Sequence, residues 1–171
     1  MKKRAQEQYL EAYELYADAI YRHCFFRVFS KEKAQELTQE VFMKTWVYLG
    51  EGKEVDNLRA FLYRVATNLI IDASRKKKEE SLEAMLEHNP ASEPRNSDHL
   101  DIYRNLEIKE IMAVIEQLPE DYRSVLVMRY VEDLSPKDIA KIMKTTPNNI
   151  SVRINRAMQA LREKLPDLAH G

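Results

Sequence analysis

Apolar residues recur every three or four positions through most of this chain, and breaks in that rhythm divide it into blocks. A first helix over about 5–29 carries Leu10, Tyr13, Ala17, Ile20 and Cys24 along one side. Ser30 interrupts it and can cap a second helix, in which Ala34, Leu37, Val41 and Tyr48 face inward. Gly50-Glu51-Gly52 ends that helix, and a short polar loop leads through Asn57. A third helix runs from about Leu58 to Lys78, with Leu58, Phe61, Leu62, Val65, Leu69 and Ile70 on its apolar side. Asn89 to Ser97 then offers turn formers and charge with almost nothing to bury, the mark of a flexible linker. Glu79–Leu86 either extends the third helix or forms a short one. The helical period returns through Leu106, Ile111, Ile115 and Leu118, and Pro119 starts a helix carrying Tyr122, Val125, Leu126 and Tyr130. The pattern predicts an all-α protein of two small helical domains, 5–78 and 104–166, joined by a flexible acidic linker over 79–103.

The C-terminal domain ends in a helix-turn-helix pattern, SPKDIAKIMKTTPNNISVRINRAMQALREKL at 135–165. Ser135 caps its first helix, with Pro136 in the first turn and Asp138 near the positive end of the dipole. Ile139, Ala140 and Met143 form its apolar side. The turn Lys144-Thr145-Thr146 lacks the Gly that such turns often carry. Thr146 caps the second helix, which opens with Pro147 and turns Ile150, Ile154, Ala157, Leu161 and Leu165 inward. Asn148, Asn149, Ser151, Val152, Arg153, Asn155 and Arg156 occupy the rest of its N-terminal half. Asn and Arg are side chains whose paired hydrogen-bonding groups read base edges in a major groove. A surface helix pair in an ordinary bundle would show the same periodicity.

Composition removes whole classes of function. Only 3 Gly and 6 Pro among 171 residues suit helices. No apolar run approaches the roughly 18 residues that span a membrane, and MKKRAQEQYLEAYE lacks a signal-peptide core, so a cytoplasmic protein is expected, with no membrane insertion. One cysteine, Cys24, sits among Tyr21, Phe25 and Phe26 and is expected to be a buried thiol. His23, His88, His99 and His170 are scattered, and no Cys/His spacing suggests a metal. No phosphate loop or nucleophile elbow appears, so no catalytic residue, cofactor or small-molecule substrate is expected. The net charge of −1 hides a strong segregation. Residues 79–109 hold 8 acids against 3 bases, while bases concentrate at Lys2-Lys3-Arg4, at Arg75-Lys76-Lys77-Lys78 and along Arg153, Arg156, Arg162 and Lys164.

Three ordered motifs then carry a resemblance. AQELTQEVFMKTW at 34–46 resembles the polymerase-binding signature of bacterial sigma factors of the extracytoplasmic-function type, group IV of the sigma-70 family. NLRAFLYRVATNLIIDASRKKK at 57–78 is similar to that family's promoter-melting helix, and IEQLPEDYRSVLVMRYVEDLSPKDIAKIM at 115–143 resembles the start of its region 4. The resemblance implies that 5–78 is region 2, that 104–166 is region 4, and that the chain is not an enzyme. It implies docking of Gln35, Glu36, Gln39, Glu40 and Lys44 on the coiled coil of the largest subunit of core RNA polymerase, although a solvated helix face would satisfy the same residues. It implies capture of an unstacked base of the −10 element, which needs a pocket and a basic track. Asn68 matches the family's Asn on this helix; Asn57, Arg59, Arg64, Arg75, Lys76, Lys77 and Lys78 are candidates for strand and phosphate contacts. Tyr63 is either a base-stacking ring or an ordinary half-buried tyrosine, and Phe42, Trp46, Phe61 and Leu62 read as core.

For the second promoter contact, the resemblance puts the helix from Pro147 in the major groove of the −35 element. The chain departs from the family there: Asn148-Asn149 stands for the usual Gly-Thr pair, and Ser151-Val152 for a basic residue followed by Ser. This implies weaker phosphate anchoring and a different base preference, with Asn148, Asn149 and Asn155 as candidate adenine readers. The family's two elements lie on the order of 55 Å apart along the duplex. A flexible linker of about 25 residues typically spans about 25–30 Å and reaches about 80 Å when extended. An anti-sigma partner that covers both faces is implied by the resemblance alone. Rival readings are a helix-turn-helix regulator binding duplex operator DNA without polymerase, a protein-binding adaptor, and a helical enzyme.

Overall fold

The structure, a computed structural model, describes residues 3–86 and 106–165. Among these, helices and turns account for all regular structure. The helices are α1 (Lys3–Val28), α2 (Lys31–Gly50), α3 (Leu58–Leu86), α4 (Leu106–Gln117), α5 (Glu120–Leu126), α6 (Pro136–Met143) and α7 (Pro147–Lys164), and a π turn, Val127–Val131, continues α5. The third helix runs on to Leu86 as one piece. The remainder of the expected linker, 87–103, lies outside the described residues.

Local chemistry explains the boundaries. Ser30 caps α2 by accepting from Lys33 N at 3.3 Å, and Ser135 and Thr146 cap α6 and α7 in the same way. The missing Gly of the helix-turn-helix is replaced by Lys144, which adopts the left-handed conformation at φ 54°. α1 and α2 form a helical hairpin, and α3 lies against both. In the C-terminal domain α7 packs on α5 and α6.

The interior corrects several expected faces. Leu10 and Tyr13 are about half exposed, and the buried stripe of α1 is Ala12, Ile20, His23, Cys24 and Arg27. Tyr9 and Tyr13 instead edge onto Phe42 from the hairpin's rim. Tyr130, expected on the apolar side, is exposed because the π turn inserts an extra residue and brings Val127 and Met128 inward. Ile142 is buried where Met143 was expected, Met143 being half-buried. Ile150, Ile154 and Ala157 of α7 are buried as the periodicity requires. One continuous apolar cluster runs from Ala12 and Ile20 through Leu62, Ala66 and Ile70 to Val125, Leu134, Ile139 and Ile150, so both domains share it.

Candidate polymerase and nucleic-acid interfaces

The outer face of α2 carries Gln35, Glu36, Gln39 and Lys44 in the open and Glu40 half-buried. Lys44 and Glu40 form an exposed pair at 3.8 Å, one helical turn apart, too solvated to do more than orient the two side chains. Alongside this polar row the structure places apolar residues that periodicity did not single out. Met43 and Val47 are exposed and line a shallow hollow with Lys44, Tyr48 and Glu51. Trp46 was expected in the core but is 43% exposed. The Tyr9 ring meets it edge-on at 4.9 Å, and much of the indole stays open. Phe42 is buried as expected. A polar row edged by Met, Val and Trp is the composition of a protein-docking face.

On α3 the candidate residues separate into two groups. Helical spacing puts Arg64, Asn68, Arg75 and Lys78 within one narrow stripe, and all four are exposed. From Arg64 to Lys78 that stripe is about 21 Å long, with Lys76 and Lys77 beside it. Arg75 shares its charge with Asp72 at 3.6 Å. Arg59 and Tyr63 project elsewhere. Tyr63 is 2% exposed; the His23 ring stands edge-on to it at 5.1 Å and the Arg59 guanidinium lies over it at 5.9 Å. Of the two sequence alternatives, this arrangement gives a buried tyrosine with no face open to a base. Burial, with Glu132 nearby, pushes its phenol up to about 12. Asn57 acts within its own helix terminus, where its Oδ1 accepts from Ala60 N at 2.9 Å and caps α3.

The outward face of α7 presents Asn148, Asn149, Ser151, Val152, Asn155 and Arg156, with Arg153 half-buried. Two of these side chains are engaged inside the motif. The Asn149 amide donates to Thr145 Oγ1 at 3.1 Å, and the Ser151 hydroxyl donates to Pro147 O at 3.1 Å. Asn148, Asn155 and Arg156 project outward from the first two and a half turns, and Val152 offers an exposed apolar contact between them. Asp121 and Tyr122 of α5 wall a cleft against Asn149, Val152, Arg153 and Arg156. Asp121 there tempers the positive charge of the helix.

Cys24 is fully buried, and burial raises its thiol to about 12, so it stays protonated and inert. Among the described residues no three His, Cys, Asp or Glu side chains gather as a metal site, and no helix there is long and apolar enough to cross a membrane.

Two family models match the chain: sigma-70 region 2 over residues 12–80 and sigma-70 region 4 over residues 108–161. The sigma factor SigW of Bacillus subtilis, of the extracytoplasmic-function (ECF) type, is 29% identical over 183 residues, taking in 98% of this chain and 94% of the relative. The ECF sigma factor SigM of the same organism is 28% identical, over 89% of this chain and 91% of the relative. Among solved structures, the sigma factor RpoE in a co-crystal with the anti-sigma factor NepR from Bartonella quintana aligns with a TM-score of 0.74 over 94% of this chain and 98% of that one. At 21% identity that likeness concerns the fold. With both regions matched in order and relatives aligned almost end to end, the chain belongs to the sigma-70 family of bacterial RNA polymerase sigma factors, in its extracytoplasmic-function branch.

Proposed function

We propose that this protein binds core RNA polymerase in the cytoplasm, directs it to promoters, and holds the opened −10 strand while the polymerase makes RNA. The observation that carries this reading is the pairing of two differently built nucleic-acid faces on two matched domains. The stripe Arg64–Asn68–Arg75–Lys78 is a basic track around one amide, suited to a single strand and a flipped base. The face of α7 is a capped helix with Asn and Arg outward, suited to a major groove. The row Gln35, Glu36, Gln39, Glu40 and Lys44, with exposed Met43 and Val47 beside it, is the surface for the polymerase coiled coil. Control by an anti-sigma partner belongs to the same reading, since the RpoE of Bartonella quintana forms such a complex. No step of this activity is catalytic for the chain itself.

A pair of substitutions tests the division of labour. Asn68→Ala should abolish permanganate reactivity of the −10 strand in polymerase complexes and leave core binding intact. Arg156→Ala should weaken capture of −35 duplex and leave core binding intact. Equal loss of core binding in both variants would mean that the surfaces are misassigned.

A further inference from the structure

The recognition helix holds several of its polar groups within the motif itself. The Asn149 amide donates to Thr145 Oγ1 at 3.1 Å, and its backbone N–H donates to the Thr146 cap at 3.2 Å. The Ser151 hydroxyl turns back to Pro147 O at 3.1 Å, and the Gln159 amide donates to Glu163 Oε1 at 3.2 Å. Arg153 is half-buried in the cleft walled by Asp121 and Tyr122 of α5. Asn148, Asn155 and Arg156 differ from all of these: they are exposed, and their side chains make no hydrogen bond among the described residues.

Val152 stands among those three. At about 100° per residue it lies about 40° around the helix from Asn148 and from Arg156, and about 60° from Asn155, so the four share one stripe. The side chain is 40% exposed. Core packing does not account for it, because the buried positions of α7 are Ile150, Ile154 and Ala157. Helix propensity does not account for it either, since a β-branched residue is a weaker helix former than Ala, Lys or Gln. The γ-methyls are left in the open with an amide before them and an amide after.

The complement of that arrangement is a surface where an apolar knob lies among hydrogen-bonding edges. The major groove over A·T pairs has this form. Thymine alone among the four bases projects a methyl group there, and adenine presents an acceptor and a donor that an amide meets in pairs. Along the helix axis Val152 is about 6 Å from Asn148 and about 4.5 Å from Asn155. Each distance is one to two base-pair steps of about 3.4 Å.

We infer that Val152 makes the recognition face of α7 selective for thymine in duplex DNA, packing on the 5-methyl group between adenine edges met by Asn148 and Asn155. The inference rests on the proposed placement of α7 in a major groove and deepens it. Asn149, held by Thr145, then positions the start of the helix and reads no base.

The test loads core RNA polymerase with the full chain and enriches binders from a duplex pool randomised over a 30-base-pair window. Each thymine of the enriched duplex is then replaced singly by deoxyuridine, which removes the methyl group and no hydrogen-bonding group. One replacement should weaken binding about fourfold, the worth of one buried methyl, and that thymine should lie within two base pairs of a second A·T pair. Val152→Ser, a surface change whose folding circular dichroism confirms, should bind the thymine and uracil duplexes equally. A parent complex indifferent to every uracil overturns the assignment without calling on any variant. Sensitivity that survives Val152→Ser overturns it too. If the loaded polymerase enriches no sequence, the sigma reading fails, and the full chain alone takes the same pool and the same replacements at low salt. No enrichment there either overturns the thymine assignment as well.

Discussion

Asn57 separates a structural role from a DNA-binding one within a single side chain. It was expected to touch the −10 strand, and its Oδ1 caps α3 by accepting from Ala60 N at 2.9 Å. Asn57→Ala removes that acceptor and leaves one orphan donor at the start of the helix that bears Arg64 and Asn68. Loss of an Asn cap costs about 1 kcal/mol. For a chain of this length that corresponds to a fall of about 2–4 °C in melting temperature. Asn57→Asp keeps the capping oxygen and adds a charge that the helix dipole favours, so its melting temperature should match the parent within about 1 °C. The two variants part again on DNA. If Asn57 also lies beside the strand, Asp repels phosphate and weakens single-strand binding more than Ala does. Thermal melting by circular dichroism and anisotropy titration with a single-stranded oligonucleotide measure the two effects separately. An Ala variant as stable as the parent would refute the cap assignment, and equal strand binding by both variants would refute any DNA contact by this residue.

Other substitutions probe the turn, the core, the buried protons and the recognition helix. Lys144 occupies a left-handed position that costs an L-residue about 1–2 kcal/mol; after the added chain entropy of glycine, Lys144→Gly should stabilise by about 0.5–1 kcal/mol in denaturant titrations, and a destabilisation would contradict the turn geometry. Ile150 is fully buried in the shared cluster, so Ile150→Ala should cost about 2–5 kcal/mol; a loss below that range would show that the packing there is not as tight as described. Cys24 and Tyr63 each hold a proton to about 12 when folded, whereas the unfolded thiol and phenol ionise near 9 and 10. Their stabilising effect is complete below pH 9 and is lost as pH rises towards 12, at about 1.4 kcal/mol per pH unit for each group in its window. Cys24→Ala should flatten that alkaline decline between pH 9 and 10. Arg156→Ala should reduce the salt slope of duplex binding by about 1.

What the sequence disclosed depended on how local the cause was. α7 was legible almost residue by residue, because its cap, its Pro and its apolar stripe all lie within one continuous amphipathic segment. α1 was harder: more than half its residues are apolar or aromatic, several stripes fit, and the one chosen began at Leu10 where packing selected Ala12. Tyr130 was misplaced because a π turn shifts the helical phase, and nothing in VMRYV announces one. Asn57 was legible as a cap in principle, standing just before the periodic run that starts at Leu58. The hydrogen bond between His23 and Glu132 was not legible. The two are 109 positions apart, and an isolated histidine carries no sign of its partner. The candidate −10 residues were chosen as one set, yet the structure divides them: Arg64, Asn68, Arg75 and Lys78 share one exposed stripe of α3, Asn57 caps the helix, and Tyr63 is buried.

Everything proposed for this chain turns on whether it confers promoter specificity on a polymerase that lacks it. Multi-round transcription with purified core RNA polymerase on a pooled promoter library, with and without the protein, measures that directly. Discrete start sites should appear only when the protein is added and vanish with Asn68→Ala. Transcripts identical with and without the protein, from a preparation shown to bind core, would refute the proposed function.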